Sequence, residues 1–313
     1  MAVEANQSKR GNRVLRHAAA ARRRVERLHP SVRGLLWAIA SGLLFVLLNA
    51  LMRGLSLALP PFQTQFLRYA CGLVVMLPFI LRGGIGAYRP HTVKGQLLRG
   101  GVHTLGLCLW FIAIPHISLA DTTALGFTTP IFIMVGAVLM LGERLRWERW
   151  IAAAIGFAGV LLVVAPKLTG NGGGFLLVML AASPMFAASF LLTKTLTKFD
   201  KTEVIVVWQA ITVTLFSLPL GLLHWHSPSA WQWATFLLCG LLGSAGHYCL
   251  TRSFSVADIS ATQSVKFLEL VWAAALGWLL FSDVPSRSTL IGGIVICGAT
   301  LWIARRESRR APA

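Results

Sequence analysis

"LMLGERLRWERWIAAAIGFAGVLLVV", residues 139–164, is two apolar runs joined by one short charged segment. Glu143, Arg144, Arg146, Glu148 and Arg149 fall within seven positions, and the flanking runs carry no charge for about a helix length each. A helix needs about 20 apolar residues to cross the hydrocarbon core of a bilayer, so the stretch reads as span, loop, span. Carried outward along the 313 residues, the same reading finds ten spans: 34–52, 63–81, 97–114, 121–141, 148–165, 174–193, 204–223, 233–251, 259–281 and 288–304. The chain is 56% hydrophobic and 13% charged, against about 25% charged in soluble domains. Outside the spans there is a basic tail, a short C-terminus and loops of a few residues, too little for a soluble catalytic domain. The expected fold class is an all-α integral membrane protein.

A net charge of +18 in a soluble protein points to nucleic acid. Here the positions of the charges exclude that partner. Lys9, Arg10, Arg13, Arg16, Arg22, Arg23, Arg24, Arg27 and Arg33 precede the first span, and Arg305, Arg306, Arg309 and Arg310 follow the last. With ten spans both termini share one side, and positive residues mark the cytoplasm. Loops assigned inside hold Arg82, Arg89, Lys94, Arg99, Arg144, Arg146, Arg149, Lys194, Lys198, Lys201 and Arg252; loops assigned outside hold Arg53, Lys167 and Arg287. The expected location is the cytoplasmic membrane, with both ends inside and lipid as the surrounding partner. The tail reads either as a surface helix on anionic lipid or as a disordered basic leader that enforces topology. Cys71, Cys108, Cys239, Cys249 and Cys297 all fall within spans and form no disulfide framework.

The stretch at 139–164 has a copy, "LLFSDVPSRSTLIGGIVICGATLWIA", at 279–304, with Glu143 opposite Asp283. "SLADTTA" (118–124) likewise parallels "SVADISA" (255–261). Five spans per copy is an odd number, so the copies lie in the membrane with opposite orientation. Charge agrees: "ERLRWER" is basic as an inside loop should be, and its copy "DVPSRS" has lost most of its arginine. The expected organisation is a tail (1–32), one five-helix repeat (33–166), its inverted partner (173–306) and a C-terminus (307–313). Inverted repeats place a substrate site near the midplane between the halves, with two nearly equivalent access states.

The half that runs from "ISLADTTALGFTTPIF" to "LMLGERLRWERW" and on through a Gly-rich helix resembles the recurring half of the drug/metabolite transporter superfamily, EamA-type branch. Its small-residue helix start, mid-span Thr-Pro and Leu-Gly-Glu end carry the resemblance. The second copy, "VADISATQSVKFLELVWAAALGWLLFSDVPS", lacks the mid-span proline and has Asp283 for glutamate. The resemblance covers about residues 33 to 306. It implies a secondary transporter working by alternating access, with hairpins 3–4 and 8–9 rocking. Members export amino acids or import nucleotide-like or vitamin metabolites, and the bacterial exporters of aromatic amino acids are the most similar branch. Amino-acid export is therefore the expected function, with uptake of a larger metabolite as the alternative.

Lys266 and Glu269 lie near the middle of the ninth span. A central charge costs roughly 2.5–3.5 kcal/mol on insertion scales, and residues three apart share a helix face. The pair reads either as an internal salt bridge or as the wall of a wet cavity, where Glu269 takes an ammonium and Lys266 a carboxylate. Gln263 extends that face by one turn. His103 and His247 sit at similar depths in the two copies, as satisfied core histidines or as substrate and proton ligands. Asn49, Thr129, Ser183 and Gln209 are mid-span polar groups that glue helices or line one lumen. Trp110 and Tyr248 are candidates for an aromatic wall. Pro130 and Pro184 remove backbone donors in mid-span, at gates or at tolerated kinks. Arg68 is expected to snorkel to the outer surface.

Several chemical motifs fail. "GLLGSAG" (240–246) lies inside a span and reads as close helix packing rather than dinucleotide binding. "GNGGG" (170–174) lacks the Lys-Ser/Thr of a phosphate loop, and His224 and His226 have no partner acids for a metal. No cofactor is expected. An intramembrane enzyme on lipid-linked substrates needs acids clustered at an interface; Glu143 and Glu148, among arginines, read instead as a solvated, salt-bridged loop. Neutralising Lys266 or Glu269 is expected to change substrate affinity while the yield of folded protein holds; a large loss of folded protein from either change marks a structural bridge.

Overall fold

The computed structural model describes residues 28–116, 125–126, 128–144, 147–164, 173–266 and 268–281, with isolated positions between 287 and 302. The basic tail, Asp121, Lys167, Asp283 and most of the tenth span lie outside the described residues. Every regular element described is helical: α1 (Pro30–Ala58), α2 (Pro61–Gly83), α3 (Val93–Ala113), α4 (Thr129–Leu141), α5 (Trp147–Val164), α6 (Gly173–Leu196), α7 (Thr202–Leu222), α8 (Ala230–Val256), α9 (Ile259–Lys266) and α10 (Leu268–Phe281), the last two sharing the ninth expected span. Local chemistry sets the starts. Pro30 and Pro61 occupy first turns, where a missing N–H costs nothing. The Thr92 hydroxyl accepts from Gly95 N at 3.3 Å, and Ser229 with Gln232 forms a capping box on α8.

Five of these helices, α1, α2, α6, α7 and α8, are long and apolar enough to cross a membrane; α4 and part of α5 are shorter apolar helices. The distribution of side chains is that of a protein in lipid. Large apolar groups such as Val74, Phe79, Leu139, Leu177 and Leu241 face outward, while Gln63, Gln65, Gln96, Arg99, His103 and Gln209 are buried. Two positions on helices α1 and α4 depart from the sequence reading. Arg53 lies within α1 rather than in a loop, and Pro130 stands in the first turn of α4 rather than in mid-helix.

The packing reflects the duplication. The most extensive helix pairs are α1–α8, α3–α6, α2–α7, α2–α8, α4–α6 and α3–α7. Exchanging each helix of the first half for its copy turns α1–α8 into α6–α3, and α2–α8 into α7–α3. The α4–α6 contact likewise maps onto the contact of α9 with α1. The main helix contacts are thus preserved when the halves are exchanged, as a pseudo-twofold relation requires. Small residues make the closest pairs possible: a Cβ on Gly240 would lie 2.6 Å from the backbone nitrogen of Gly72. The 240–246 stretch is thus a packing surface, as the sequence indicated.

Loops assigned to one side meet one another. His91 N and the Gln96 amide donate to Asp200 at 2.6 and 2.9 Å, joining the α2–α3 and α6–α7 connections. At the other end the Gln63 amide exchanges hydrogen bonds with the backbone of His226 at 2.6 and 2.9 Å.

Glu143 departs from its reading as a solvated loop acid. Gly142, at φ +65°, ends α4 in the left-handed conformation that glycine adopts without strain, and the turn delivers Glu143 to the start of α9. Its carboxylate accepts from Ile259 N at 2.8 Å, Ser260 N at 3.3 Å and Ser260 Oγ at 2.5 Å. Beside it, Lys194 Nζ donates to Phe254 O at 2.7 Å and Ala257 O at 2.6 Å, satisfying the end of α8. An acid at a helix start and a cation at a helix end both oppose the helix dipole. Replacing Glu143 by alanine should cost about 1–2 kcal/mol, read as a lower melting temperature of the purified protein; Glu143→Gln, which keeps one acceptor oxygen, should lose less.

Candidate substrate site

Adjoining an apolar cluster around Leu48, Met52, Leu107, Phe111 and Phe236 and another around Ile133, Ala187, Leu191, Leu250 and Phe254 lies a layer of polar side chains from five helices. Its anchor is Arg99 on α3, among the largest fully buried side chains. Nε donates to Thr193 Oγ1 at 2.7 Å and Nη1 to Ile205 O at 3.0 Å, while Nη2 donates to Gln209 Oε1. A guanidinium only donates, so the Gln209 oxygen must face Arg99 and its NH2 must face away. That NH2 meets His247 Nε2 at 3.3 Å, which makes His247 Nε2 an acceptor.

The rest of the chain then follows. Tyr69 Oη lies 3.3 Å from His247 Nε2 and 3.0 Å from His103 Nε2. With His247 Nε2 accepting, its one lone pair is shared in a three-centre bond between the Gln209 NH2 and the Tyr69 hydroxyl, both at 3.3 Å, and His103 Nε2–H donates to Tyr69 Oη. His103 Nδ1 is left as the acceptor for Ser189 Oγ at 3.1 Å. Thr193 Oγ1 donates to the Ser189 carbonyl at 2.8 Å. His247 thus carries its proton on Nδ1 and His103 on Nε2, an assignment made from the donor–acceptor network. Phe45 packs edge-on against His247 at 4.9 Å between centroids, and Phe186 against His103 at 5.4 Å. The layer offers flat ring faces, neutral donors and acceptors, and a positive charge each of whose three nitrogens bonds to an oxygen.

Three of the residues singled out from sequence, His103, Gln209 and His247, belong to this layer. Lys266 reaches its edge, 5.2 Å from the Phe190 ring centroid and 4.0 Å from Glu269 Oε1, with both side chains about one-fifth exposed. Glu269 packs over Gly42 of α1. Gln263 is buried but turns back to Ile259 O at 2.9 Å and Thr262 Oγ1 at 3.1 Å. Ser183 Oγ donates to Leu125 O at 3.2 Å, Thr129 is buried at the start of α4 beside Pro130, and Pro184 lies within α6. Asn49 is half-buried on α1. Trp110 packs edge-on against Phe111 at 4.9 Å, in the apolar cluster. Tyr248 points away from the layer, its hydroxyl 3.4 Å from Glu203 Oε1.

Tyr69, Arg99, Ser189 and Thr193 were missed. Arg99 was counted as a loop charge, yet Arg99 and His103 are four apart on α3 and face Ser189 and Thr193, four apart on α6. That matched spacing was the available signal. Arg68 is a second correction: only 6% exposed, it does not snorkel, and its guanidinium carbon lies 4.2 Å from the centroid of the Tyr69 ring.

Comparison with known proteins bears on what such a layer serves. The model of the EamA-like transporter family matches twice, over residues 32–165 and 173–305. A riboflavin transporter of Rhizobium johnstonii is 35% identical over 283 residues, 90% of this chain and 93% of that one. An S-adenosylmethionine uptake transporter of Rickettsia prowazekii is 27% identical over 88% of this chain and 94% of its own. A pseudopaline exporter of Pseudomonas aeruginosa is 29% identical over 88% and 96%. One crystal structure superimposes with a TM-score of 0.74 over 90% of this chain and 99% of that one, at 18% identity, a likeness of fold alone. With both halves matched, the chain belongs to the EamA-like transporter family: it is a multi-pass membrane transporter of small molecules, not an enzyme.

Proposed function

We propose that this chain is an uptake carrier for a flat, nitrogen-rich ring metabolite of the riboflavin class. The carrying observation is the Tyr69–His103–His247 layer, in which ring faces stand beside neutral donors and acceptors. A heteroaromatic ring presents the complementary pattern, with edges that hydrogen-bond and faces that stack. The riboflavin transporter 35% identical to it supports the same reading. Alternating access fits the pseudo-twofold: the two apolar clusters part in turn, while contacts such as Glu143–Ser260 at one end and Gln63–His226 at the other exchange. We place the carrier in the cytoplasmic membrane with both termini inside. The repeats 33–166 and 173–306 are its moving halves, and Pro130 and Pro184 stand at their gates.

The Lys266–Glu269 pair favours a second reading, export of amino acids. At 4.0 Å the two charges are loosely joined, and a zwitterion inserted between them would satisfy both. Counterflow of labelled solutes in liposomes carrying the full chain separates the readings. Riboflavin exchange that falls about tenfold in Tyr69→Phe, the effect of one lost buried hydrogen bond, and that survives Glu269→Gln supports the ring carrier. Amino-acid exchange abolished by Glu269→Gln, with riboflavin inert, replaces it with the exporter.

A further inference from the structure

A small, partly open cleft of about 20 Å³ lies between α2, α7 and α8 beside the polar layer; its lining includes Arg68, Tyr69, Gln209, Gly243, Ser244 and His247. Gln209 and His247 turn one edge toward the network already described. Arg68 has no role in that network. It stands seven residues into α2, about 10 Å along the helix from its start. Its Nη1 is buried with no hydrogen-bond partner among the described residues. Among the described residues the lining holds no carboxylate, so none of them gives the charge a counter-ion there.

Two neighbours show that the space is kept for this guanidinium. The Tyr69 ring lies under it, a contact that holds a cation without neutralising it. A Cβ on Gly243 would come within 2.9 Å of Nη2 and 3.3 Å of Cζ, so glycine at that position leaves the fork its place. A buried, uncompensated charge costs several kcal/mol. A guanidinium fork matches two oxygens of a carboxylate or phosphate.

We propose that the Arg68 cavity is an oxyanion subsite, which takes a carboxylate or phosphate group. That group comes either from the carried molecule, bound through its ring in the adjoining layer, or from a free anion that enters the cavity separately. Either source gives Arg68 its missing acceptor. The subsite stands on Arg68 and its surroundings, whatever ring the carrier takes.

The first test needs no transport substrate. The purified full-length protein is melted with rising inorganic phosphate at constant ionic strength, as wild type and as Arg68→Gln. Phosphate stabilises many proteins by exclusion from their surface, but that effect is common to both and cancels. A free-anion site predicts that phosphate raises the melting temperature of the wild type by about 3 °C more than that of the variant. The second test compares riboflavin 5′-phosphate with riboflavin as competitors of labelled riboflavin counterflow. A substrate-borne anion predicts about tenfold stronger competition by the phosphate ester in wild type, lost in Arg68→Gln. Gly243→Ala, which crowds the guanidinium without removing it, should reproduce whichever loss Arg68→Gln shows and serves if that variant does not fold. If wild type and variants respond alike to both phosphate and the phosphate ester, the subsite does not exist. If no flavin exchanges in wild type while phosphate still separates the proteins, the ring reading fails and the subsite stands.

Discussion

One buried guanidinium sets the order of the polar centre. Arg99 cannot lose its proton, and taking a charge out of water costs several kcal/mol unless its hydrogen bonds are made. It meets that demand by joining three helices: a hydroxyl from α6, a main-chain oxygen and an amide oxygen from α7. Because it can only donate, it fixes which way Gln209 points. That orientation passes to His247, to Tyr69 and to His103, and terminates at Ser189. A neutral residue at position 99 would leave the amide free to flip and the chain of donors without a direction.

The layer is useful to a carrier because of where it lies. Its side chains are buried beside two apolar clusters, and the duplicated architecture packs each half against the other through equivalent helix pairs. Buried polar groups hold a solute by hydrogen bonds that water would weaken. The same physics explains the helix ends. Glu143 and Lys194 satisfy the start of α9 and the end of α8 where the chain turns within the molecule, since backbone groups away from water must find protein partners.

The sequence revealed the spans, their duplication and several polar positions, because these depend on length, period and composition. Helix ends agreed with the expected spans within a few residues at α2, α5 and α7, whereas α1 ran longer, through Arg53. His103, Gln209 and His247 were visible as polar groups in apolar runs. Arg99 and Arg68 were not read correctly, because hydropathy treats an arginine near a span end as a loop or snorkelling charge; only the opposing helix reveals burial. Tyr69 resembles an ordinary interfacial aromatic until two histidines from different halves of the chain converge on its hydroxyl. Glu143 looked solvated because its arginine neighbours are local, while its partners Ile259 and Ser260 lie more than a hundred residues away.

Nitrogen-15 NMR of the histidine rings in the reconstituted full chain tests the ordering role of Arg99 most directly. His247 protonated on Nδ1 and His103 on Nε2, both reversed or averaged when Gln209 is replaced by leucine, is the predicted result. A His247 protonated on Nε2 in the unaltered protein would contradict it, since Gln209 would then not be held by Arg99 in the orientation on which the whole layer depends.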